Sequence, residues 1–474
     1  MILVFLACTG GKTAADVVAA HAASIIPMPT VVTAGDGAVE ISADPTHFSV
    51  HVADAGAMPA EAYVLDVTAE GISILAGDDA GIFYALQTLR QLAGPETLVD
   101  TVELSEADVR ALDGVLVPLV HVEDAPRFAY RGVMIDVARH FFTVAEVERQ
   151  IELASFHKLN VVHLHLTDDQ GWRFEVPSWP LLTEVGGASE VGGGAGGYYS
   201  TEEYAEIVAF AADRHVTVVP EIDFPGHSNA ALSSYAELNE SGVPAEPFTG
   251  TEMHSASLWL EGPDTARFVT DVWAAMAAQT PGNFLHMGAD EAINTPTEQY
   301  GPFVQSLQAV AASHGKTMVG WDEIGTVALS PPFLAQHWAD AENAALAVDQ
   351  GGRLIESPAE HAYLDMVYAY DADYGQIWAG PVNVERAYDW DPVPDGLVEA
   401  NVAGVEGALW TEYIDDQEKM DFMVWPRLAC LAEAGWSVEE NRDWAEFSSR
   451  LAWHGRRLDA LGVGYYRSDE IAWE

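Results

Sequence analysis

Basic side chains are scarce in this sequence. Its 474 residues include 21 lysines and arginines against 73 aspartates and glutamates, which gives a formal net charge of −52. Only four of the basic residues are lysines, at Lys12, Lys158, Lys316 and Lys419. Because binding to phosphate groups needs clustered lysines and arginines, neither nucleic acid nor an anionic membrane is expected as a partner.

The acidic residues are scattered along the chain and do not gather in a tail. A surface of this kind stays soluble at high salt, where dissolved ions screen its self-repulsion. We therefore expect the protein to come from a halophilic, salt-adapted organism. Attraction to a cationic polysaccharide is the alternative explanation for the charge.

Cysteine and long apolar runs are also rare. Cys8 and Cys430 cannot supply a disulfide framework or a cysteine-based metal centre, and Cys430 is expected to be a small core residue. The apolar start, MILVFLACTGGKTAAD, is too short for a membrane span and has no basic region before it. Residues 1–23 are interpreted as an N-terminal segment, for which a truncated export signal is one explanation, and this leaves localisation open.

The rest of the chain divides into two predicted domains. Residues 24–122 contain short strand-like runs, such as YVLDVTAEGISILAG, followed by the amphipathic stretch AGIFYALQTLRQLAG. This pattern predicts a small α+β domain. It contains no cluster of His, Asp or Glu, so we expect a structural role for it.

Residues 123–474 alternate strand-like and helical patterns. The candidate strands are RGVMIDVA, NVVHLHL, VTVVPEI, NFLHMGA, TMVGW, FLAQHW, RLIES and VEGALW. The helical patterns are VAEVERQIELASFHK, TEEYAEIVAFAADRH, DTARFVTDVWAAMAAQ and KMDFMVWPRLACLAE. Eight strands that alternate with helices predict a (β/α)8 TIM barrel, whose active site is built where the strands end.

Seven of these strands end in polar or aromatic residues. They are Arg139, Asp168, His227, Asp290 with Glu291, Trp321, His337 with Trp338, and Trp410 with Glu412. Tryptophan faces suit the C–H surfaces of a sugar, while arginine and carboxylates form paired hydrogen bonds to hydroxyl groups. The set therefore predicts a sugar-binding pocket.

The stretch NVVHLHLTDDQGWRF allows a second interpretation. His163 and His165 are separated by one residue, as in barrel hydrolases that bind zinc at the end of a strand. If the strand stays regular, however, Asp168 faces the opposite way, so the histidines and Asp168 cannot line one site. We expect Asp168 in the pocket and the histidines packed or hydrogen-bonded behind the strand.

An ordered set of motifs resembles the family-twenty glycoside hydrolases, the β-N-acetylhexosaminidases. The motifs are RGVMIDVARHFF, LNVVHLHLTDDQGWR, VVPEIDFPGHSNAAL, LHMGADE, VGWDE, YLDMVY and GALWTEY. The resemblance runs from about residue 24 to the end, since the family also has a small α+β domain before its barrel. It implies a retaining exo-hydrolase of terminal N-acetylglucosamine or N-acetylgalactosamine that works through an oxazolinium intermediate.

The resemblance also implies catalytic roles. Glu291 would act as general acid and then general base, and Asp290 would orient and polarise the substrate's acetamido group. Tyr363 would donate a hydrogen bond to the acetamido oxygen, with Asp365 beside it. Asp168 would pair with His227 behind Glu291.

The remaining roles concern binding. Trp321, Trp338 and Trp410 would form the walls of the pocket, and Trp378 would border the leaving group. Arg139 and Glu412 would hold the ring hydroxyls at C3, C4 and C6. The partner is thus a glycan or small molecule with a terminal N-acetylhexosamine, and neither a cofactor nor a metal is expected.

Two alternatives stay open. A metal-dependent amidohydrolase barrel could use His163, His165, His227 and His286 with an aspartate. A non-catalytic sugar-binding protein could use the same barrel, although the intact pair Asp290 and Glu291 argues against it. The sequence does not distinguish chitin oligomers, glycoprotein glycans and peptidoglycan fragments, nor does it indicate the oligomeric state.

Overall fold

The computed structural model of the protein describes residues 21–41, 47–98, 112, 114–254 and 256–474. The predicted N-terminal segment and Cys8 lie outside these ranges, apart from residues 21–23. Two compact units are present: one combines Met1–Arg127 with Trp436–Glu474, and the other is Phe128–Gly435. None of the helices in the described ranges is long and apolar enough to cross a membrane.

The first unit contains a five-stranded sheet and a covering helix. Its strands are β1 (Val31–Glu40), β2 (Phe48–Val52), β3 (Tyr63–Thr68), β4 (Gly71–Ala76) and β5 (Leu116–Asp124), in the order β1-β5-β3-β4-β2. Helix α1 (Asp79–Ala93) begins where Asp78 accepts a hydrogen bond from the backbone of Gly81. Alternate residues of β3, including Leu65, are buried in one core with Leu89 of α1. The predicted small α+β domain is confirmed.

The end of the chain groups with this first unit, whereas the predicted boundary assigned everything after residue 123 to the barrel. The indole of Trp436 donates to Asp124, with 2.9 Å between Nε1 and Oδ1. In helix α13 (Trp444–Ala460), the Arg457 guanidinium donates to the carbonyls of Ser24 and Gln91. These bonds join residues hundreds of positions apart, which local sequence patterns do not reveal.

The second unit is a closed barrel of eight parallel strands. They are β6 (Tyr130–Asp136), β7 (Val161–His165), β10 (Thr217–Glu221), β11 (Phe284–His286), β12 (Thr317–Trp321), β13 (Leu334–His337), β14 (Arg353–Glu356) and β15 (Val402–Leu409), and β15 pairs with β6 to close the ring. A short hairpin of β8 (Thr167–Asp168) and β9 (Gly171–Trp172) follows β7. All eight predicted strands are therefore confirmed.

Helices follow most of the barrel strands. They are α2 (Val144–Phe156), α3 (Leu181–Glu184), α4 (Thr201–Ala212), α5 (Asn229–Ser234), α6 (Thr265–Gln279), α7 (Thr297–Ser313), α8 (Ala341–Asp349), α9 (Ala359–Ala362), α10 (Val384–Tyr388), α11 (Gln417–Val424) and α12 (Arg427–Trp436). The prediction of one helical segment over KMDFMVWPRLACLAE was wrong. Pro426 has no backbone N–H and cannot continue a helical ladder, so α11 ends at Val424 and α12 begins at Arg427.

The barrel interior is apolar in one layer and polar in another. An apolar layer that includes Val161, Val219 and Leu334 fills part of it. Elsewhere, Gln336 of β13 donates to Glu406 of β15, with 2.7 Å between Nε2 and Oε1. Because β14 separates these two strands, their side chains can meet only inside the barrel. The interior therefore contains buried polar and charged groups as well as an apolar core.

Candidate active site

A cavity of about 310 Å³ brings together loops from several barrel strands. Most of the predicted site residues line it, namely Arg139, Asp168, His227, Asp290, Glu291, Trp338, Tyr363, Trp378, Trp410 and Glu412. Trp321 and Asp365 do not belong to this lining. Trp321 packs against Trp410 with ring centroids 5.6 Å apart, and Asp365 is buried near Glu412, whose charge helps to raise its pKa.

The backbone after β11 has an unusual conformation where it delivers the two acidic residues. Ala289 and Glu291 have φ values of 77° and 43°, and His227 across the cavity has 47°. Such left-handed conformations cost non-glycine residues about 1–3 kcal/mol each and cluster at functional sites. Gly288 also has a positive φ, and a side chain there would collide with the carboxylate of Asp223. The conformation places two consecutive carboxylates, Asp290 and Glu291, in the same cavity.

Asp290 and Glu291 have different surroundings. The Asp290 side chain is 12% exposed and that of Glu291 is 35% exposed. Burial raises the pKa of Asp290 to about 6; His227 opposes this shift, and the charges of Glu221 and Glu291 add to it. Asp290 therefore changes its charge within the range in which most enzymes work.

Asp168, His227 and Glu291 form a line of contacts. Nδ1 of His227 lies 3.4 Å from Oδ1 of Asp168, and Nε2 lies 3.5 Å from Oε2 of Glu291. Burial alone would lower the pKa of His227, but Asp168, Glu291 and Asp290 raise it well above its ordinary value. Burial would likewise raise the pKa of Asp168, but Arg139, His227 and His165 lower it. The line therefore places the His227 imidazolium beside Glu291, with the Asp168 anion on the far side of the imidazolium.

Aromatic rings form a continuous wall. Trp338 and Tyr363 are nearly parallel, at 13° with centroids 6.3 Å apart, and Trp378 stands edge-on to both. Tyr363 also contacts Trp410, which packs on Trp321. Trp378 is 54% exposed, whereas Trp321 is fully buried, so the wall runs from the mouth of the site to the barrel interior.

Charged groups on another part of the lining are arranged for hydrogen bonding. Two ion pairs fix the Arg139 guanidinium, one at 3.2 Å from Asp136 and one at 2.8 Å from Asp168, and the group lies 4.9 Å from the ring of Trp410. Within the described residues, Arg139 Nε and Glu412 Oε2 are buried and have no hydrogen-bond partner in the protein. Both residues line the cavity, where a guanidinium and a carboxylate are suited to pairing with the hydroxyl groups of a ligand.

Comparison with known proteins accounts for both units. Residues 128–439 match the catalytic domain of glycosyl hydrolase family 20, and residues 40–125 match domain 2 of that family. The chain belongs to glycosyl hydrolase family 20. It is therefore a glycoside hydrolase of the β-N-acetylhexosaminidase type, as the motifs predicted.

Three similar proteins document this relationship. A β-N-acetylhexosaminidase of Cellulomonas fimi is 42% identical over 421 residues, which cover 87% of this chain and 82% of the relative. The solved family 20 β-N-acetylhexosaminidase of Streptomyces coelicolor A3(2) is 38% identical with a TM-score of 0.88, over 95% of this chain and 99% of that chain. A mutant Streptomyces plicatus β-hexosaminidase, solved in complex with the product GlcNAc, is 39% identical with a TM-score of 0.89, over 95% and 98% of the two chains.

The two histidines of β7 correct one expectation about this family 20 site. His163 and His165 do form hydrogen bonds, but inside the barrel and not behind the strand. His165 contacts Asp168 directly, with 3.0 Å between Nε2 and Oδ2. Strand β7 ends at His165, and the chain then turns into the β8–β9 hairpin, so the alternation that would have separated the two side chains stops.

The same histidines bear on the metal-centre alternative. His163 and Glu221, together with His286, lie close enough to share an ion, as do three other groups of buried ligands among the described residues. Burial would lower the pKa of His163, but Glu406 and Glu221 raise it to about 9. His165 lies between Glu221 and Asp168 and has its pKa raised well above its usual value. The pKa of His286, by contrast, is lowered by burial. The amidohydrolase alternative is set aside because residues 128–439 match the family 20 catalytic domain.

Sequence reasoning missed three carboxylates of the family 20 site. Glu221 contacts the indole of Trp321, and Asp223 accepts a hydrogen bond from the backbone of Ala289. Burial raises the pKa of Asp223 well above its usual range, and the charge of Asp290 adds to the shift. Glu323 accepts from Trp338 at 3.2 Å, and burial, Asp290 and Asp322 raise its pKa to about 8. The available signal was acidic residues within the apolar runs VVPEIDF and VGWDE.

Proposed function

We propose that this enzyme releases single N-acetylhexosamine units from the non-reducing ends of glycans, with the substrate's acetamido oxygen as nucleophile. One observation carries the proposal. Asp290 and Glu291 approach the same nitrogen of His227, at 4.0 Å and 3.5 Å from Nε2. They are consecutive residues of one loop that face one imidazole, which does not favour placing them on opposite faces of one anomeric carbon, as the acid and the nucleophile of an ordinary retaining glycosidase are placed.

Binding of the sugar follows from the lining of the cavity. The aromatic wall receives the acetamido methyl group and the apolar face of the ring. Arg139 and Glu412 hold the ring hydroxyls. Ion pairs with Asp136 and Asp168 fix the Arg139 guanidinium in position. A cavity of about 310 Å³ accommodates one sugar unit, which supports attack on chain ends. The half-exposed Trp378 borders the leaving group.

The first chemical step transfers a proton and forms a ring. Glu291 donates its proton to the glycosidic oxygen while the acetamido oxygen attacks C1, so that the C1–oxygen bond to the leaving group breaks. The product of this step is a bicyclic oxazolinium ion. Asp290 stabilises the positive charge that develops at the acetamido nitrogen, and Tyr363, beside Asp365, donates a hydrogen bond to the acetamido oxygen.

The second step restores the enzyme. Glu291 removes a proton from a water molecule, which attacks C1 and opens the oxazolinium ring with overall retention of the β configuration. His227, oriented by Asp168, supplies a fixed positive charge 3.5 Å from the Glu291 carboxylate and stabilises its anionic form between the two steps. Trp338 and Trp410, the latter supported from behind by Trp321, keep the acetamido group close to C1 throughout.

We further propose chito-oligosaccharides as substrates. Every unit of chitin carries an acetamido group, so each newly exposed chain end presents the same group to the aromatic wall. Glycoprotein glycans and peptidoglycan fragments also carry N-acetylhexosamines and should be compared directly.

A set of chromogenic β-glycosides tests the proposed function. The N-acetylglucosaminide and the N-acetylgalactosaminide should be hydrolysed, and the 2-hydroxy glucoside should be turned over far more slowly. Activity should survive treatment with a chelator. Equal rates on the 2-hydroxy and 2-acetamido substrates would refute the mechanism, and no hydrolysis of any acetamido substrate would refute the function.

A further inference from the structure

Glu221 is a buried carboxylate to which the mechanism above gives no role. It is the last residue of β10 and has no exposed surface. Four side chains point to it: Trp321 at 3.0 Å, His165 at 2.6 Å, and His163 and His286 at 3.1 Å each. They come from three neighbouring parts of the barrel, so Glu221 is the centre of a network beneath the cavity.

A buried anion is costly and needs compensation. Burial alone would raise the pKa of Glu221, but His165, His286 and His163 lower it well below its usual value. The carboxylate is therefore ionised over the whole working range of pH. An anion with fixed partners can hold its neighbours in defined positions, because each charge-assisted hydrogen bond is short and directional.

Two partners of Glu221 lead directly to the proposed reaction. Oε1 accepts from Nε1 of Trp321, whose ring packs on Trp410 in the cavity lining. Oε2 accepts from Nδ1 of His165, whose Nε2 donates to Asp168 at 3.0 Å. One carboxylate thus joins the deep end of the aromatic wall to the line of contacts that reaches Glu291.

We propose that Glu221 is a positioning residue that fixes Trp321 and His165 and thereby sets how tightly the site encloses the acyl group of the substrate. The inference rests on the proposed function, because Trp321 supports Trp410, which is assigned to the pocket for that acyl group. If the hydrogen bond to Trp321 is lost, the indole can shift. The site then holds the acetamido oxygen less firmly at C1 and tolerates a longer acyl chain.

The variants E221Q and E221D separate the effect of the side chain's charge from the effect of its length. Glutamine keeps the length of the side chain and can still accept from Trp321, but it lacks the charge that pairs with His165. Aspartate keeps the charge but is one methylene shorter and cannot keep both contacts. The matched control is E406Q, which removes another buried carboxylate from the barrel interior. Glu406 contacts Tyr130, His163 and Gln336, none of which lines the cavity.

The measurements are kcat and KM on aryl β-glucosaminides that carry either an N-acetyl or an N-propionyl group, together with thermal melts. We expect kcat on the acetyl substrate to fall by about tenfold to a hundredfold in E221D and E221Q, as for loss of one charge-assisted hydrogen bond. The preference for acetyl over propionyl should fall at least threefold in E221D. E406Q should melt at a lower temperature and keep the acyl preference of the wild type.

The outcomes distinguish the two proposals. A wild-type enzyme without activity on either substrate overturns the proposed function. If the wild type is active but E221D and E221Q keep its acyl preference and kcat, only the inference about Glu221 is overturned. The inference is also overturned if E406Q changes the acyl preference as much as E221D does. Should E221Q fail to fold, E221D, which keeps the buried charge, still decides the question.

Discussion

His227 stands between Asp168 and Glu291, with its two ring nitrogens 3.4 Å and 3.5 Å from the nearest carboxylate oxygen of each. The imidazole therefore connects a buried anion with the proposed general acid. We expect H227N to lower kcat by about tenfold to a hundredfold and to change KM little, because the fixed positive charge acts on Glu291 and not on sugar binding.

The matched control for this variant is H337N. His337 is also paired with a carboxylate, Glu356, at 2.8 Å, but it does not line the cavity. H337N should lower the melting temperature without a comparable loss of kcat. If both variants reduce kcat to the same extent, His227 has no specific role beside Glu291.

The E291Q variant tests the general acid. Glutamine keeps the shape of the side chain but cannot donate the proton, so hydrolysis of a disaccharide should fall by roughly 10²–10⁴-fold. An aryl glycoside with an activated leaving group needs less protonation, and its first step should suffer less. Steady-state and single-turnover rates on both substrates provide the measurement, and equal losses on both would contradict an acid role.

The D290N variant tests stabilisation of the oxazolinium ion. Asparagine is of similar size but carries no negative charge, so kcat on the N-acetyl substrate should fall by roughly 10²–10³-fold, while KM changes by much less. A thiazoline mimic of the intermediate should inhibit the wild type competitively and bind D290N more weakly. NMR of the first-formed product should show the β anomer. A 2-fluoro sugar that traps a covalent ester on Asp290 would disprove the mechanism.

The pH dependence of the reaction should reflect the ionisation of Asp290. Its pKa is raised to about 6 by burial and by neighbouring carboxylates, and only the ionised form can stabilise the cationic acetamido group. As pH rises through about 6, Asp290 loses its proton and kcat/KM should rise; below that pH it should fall with the protonated fraction. The pH profile of D290N should lack this acidic limb, and an unchanged limb would assign it to another group.

Stability should depend strongly on salt. The chain carries a net charge of −52, and self-repulsion of such a surface is screened as ionic strength rises. The melting temperature should therefore increase from low salt to molar KCl or NaCl. An osmolyte without charge, such as sucrose, at the same osmolality is the control. A melting temperature that does not respond to salt would remove the case for salt adaptation and leave the enzyme assignment intact.

Much of the architecture followed from local sequence patterns. Apolar runs such as TMVGW and RLIES predicted barrel strands, and polar residues placed at their ends predicted a shared site, because parallel barrel strands end at one face. The adjacent residues Asp290 and Glu291 stood at the end of a predicted strand, and their catalytic roles were implied by the resemblance to the family-twenty glycoside hydrolases. The strands and their shared site need only the chain order and the periodicity of strands, which the sequence contains.

Other features were decided only by the tertiary structure. His165 and Asp168 were predicted to face apart, but β7 ends between them and the two side chains meet. Glu221 was read as part of an apolar strand, although the barrel brings His163, His286 and Trp321 around it from other strands. The pKa of a buried carboxylate depends on which charges lie within a few ångströms, and closure of the barrel sets those distances between residues that are far apart in the chain.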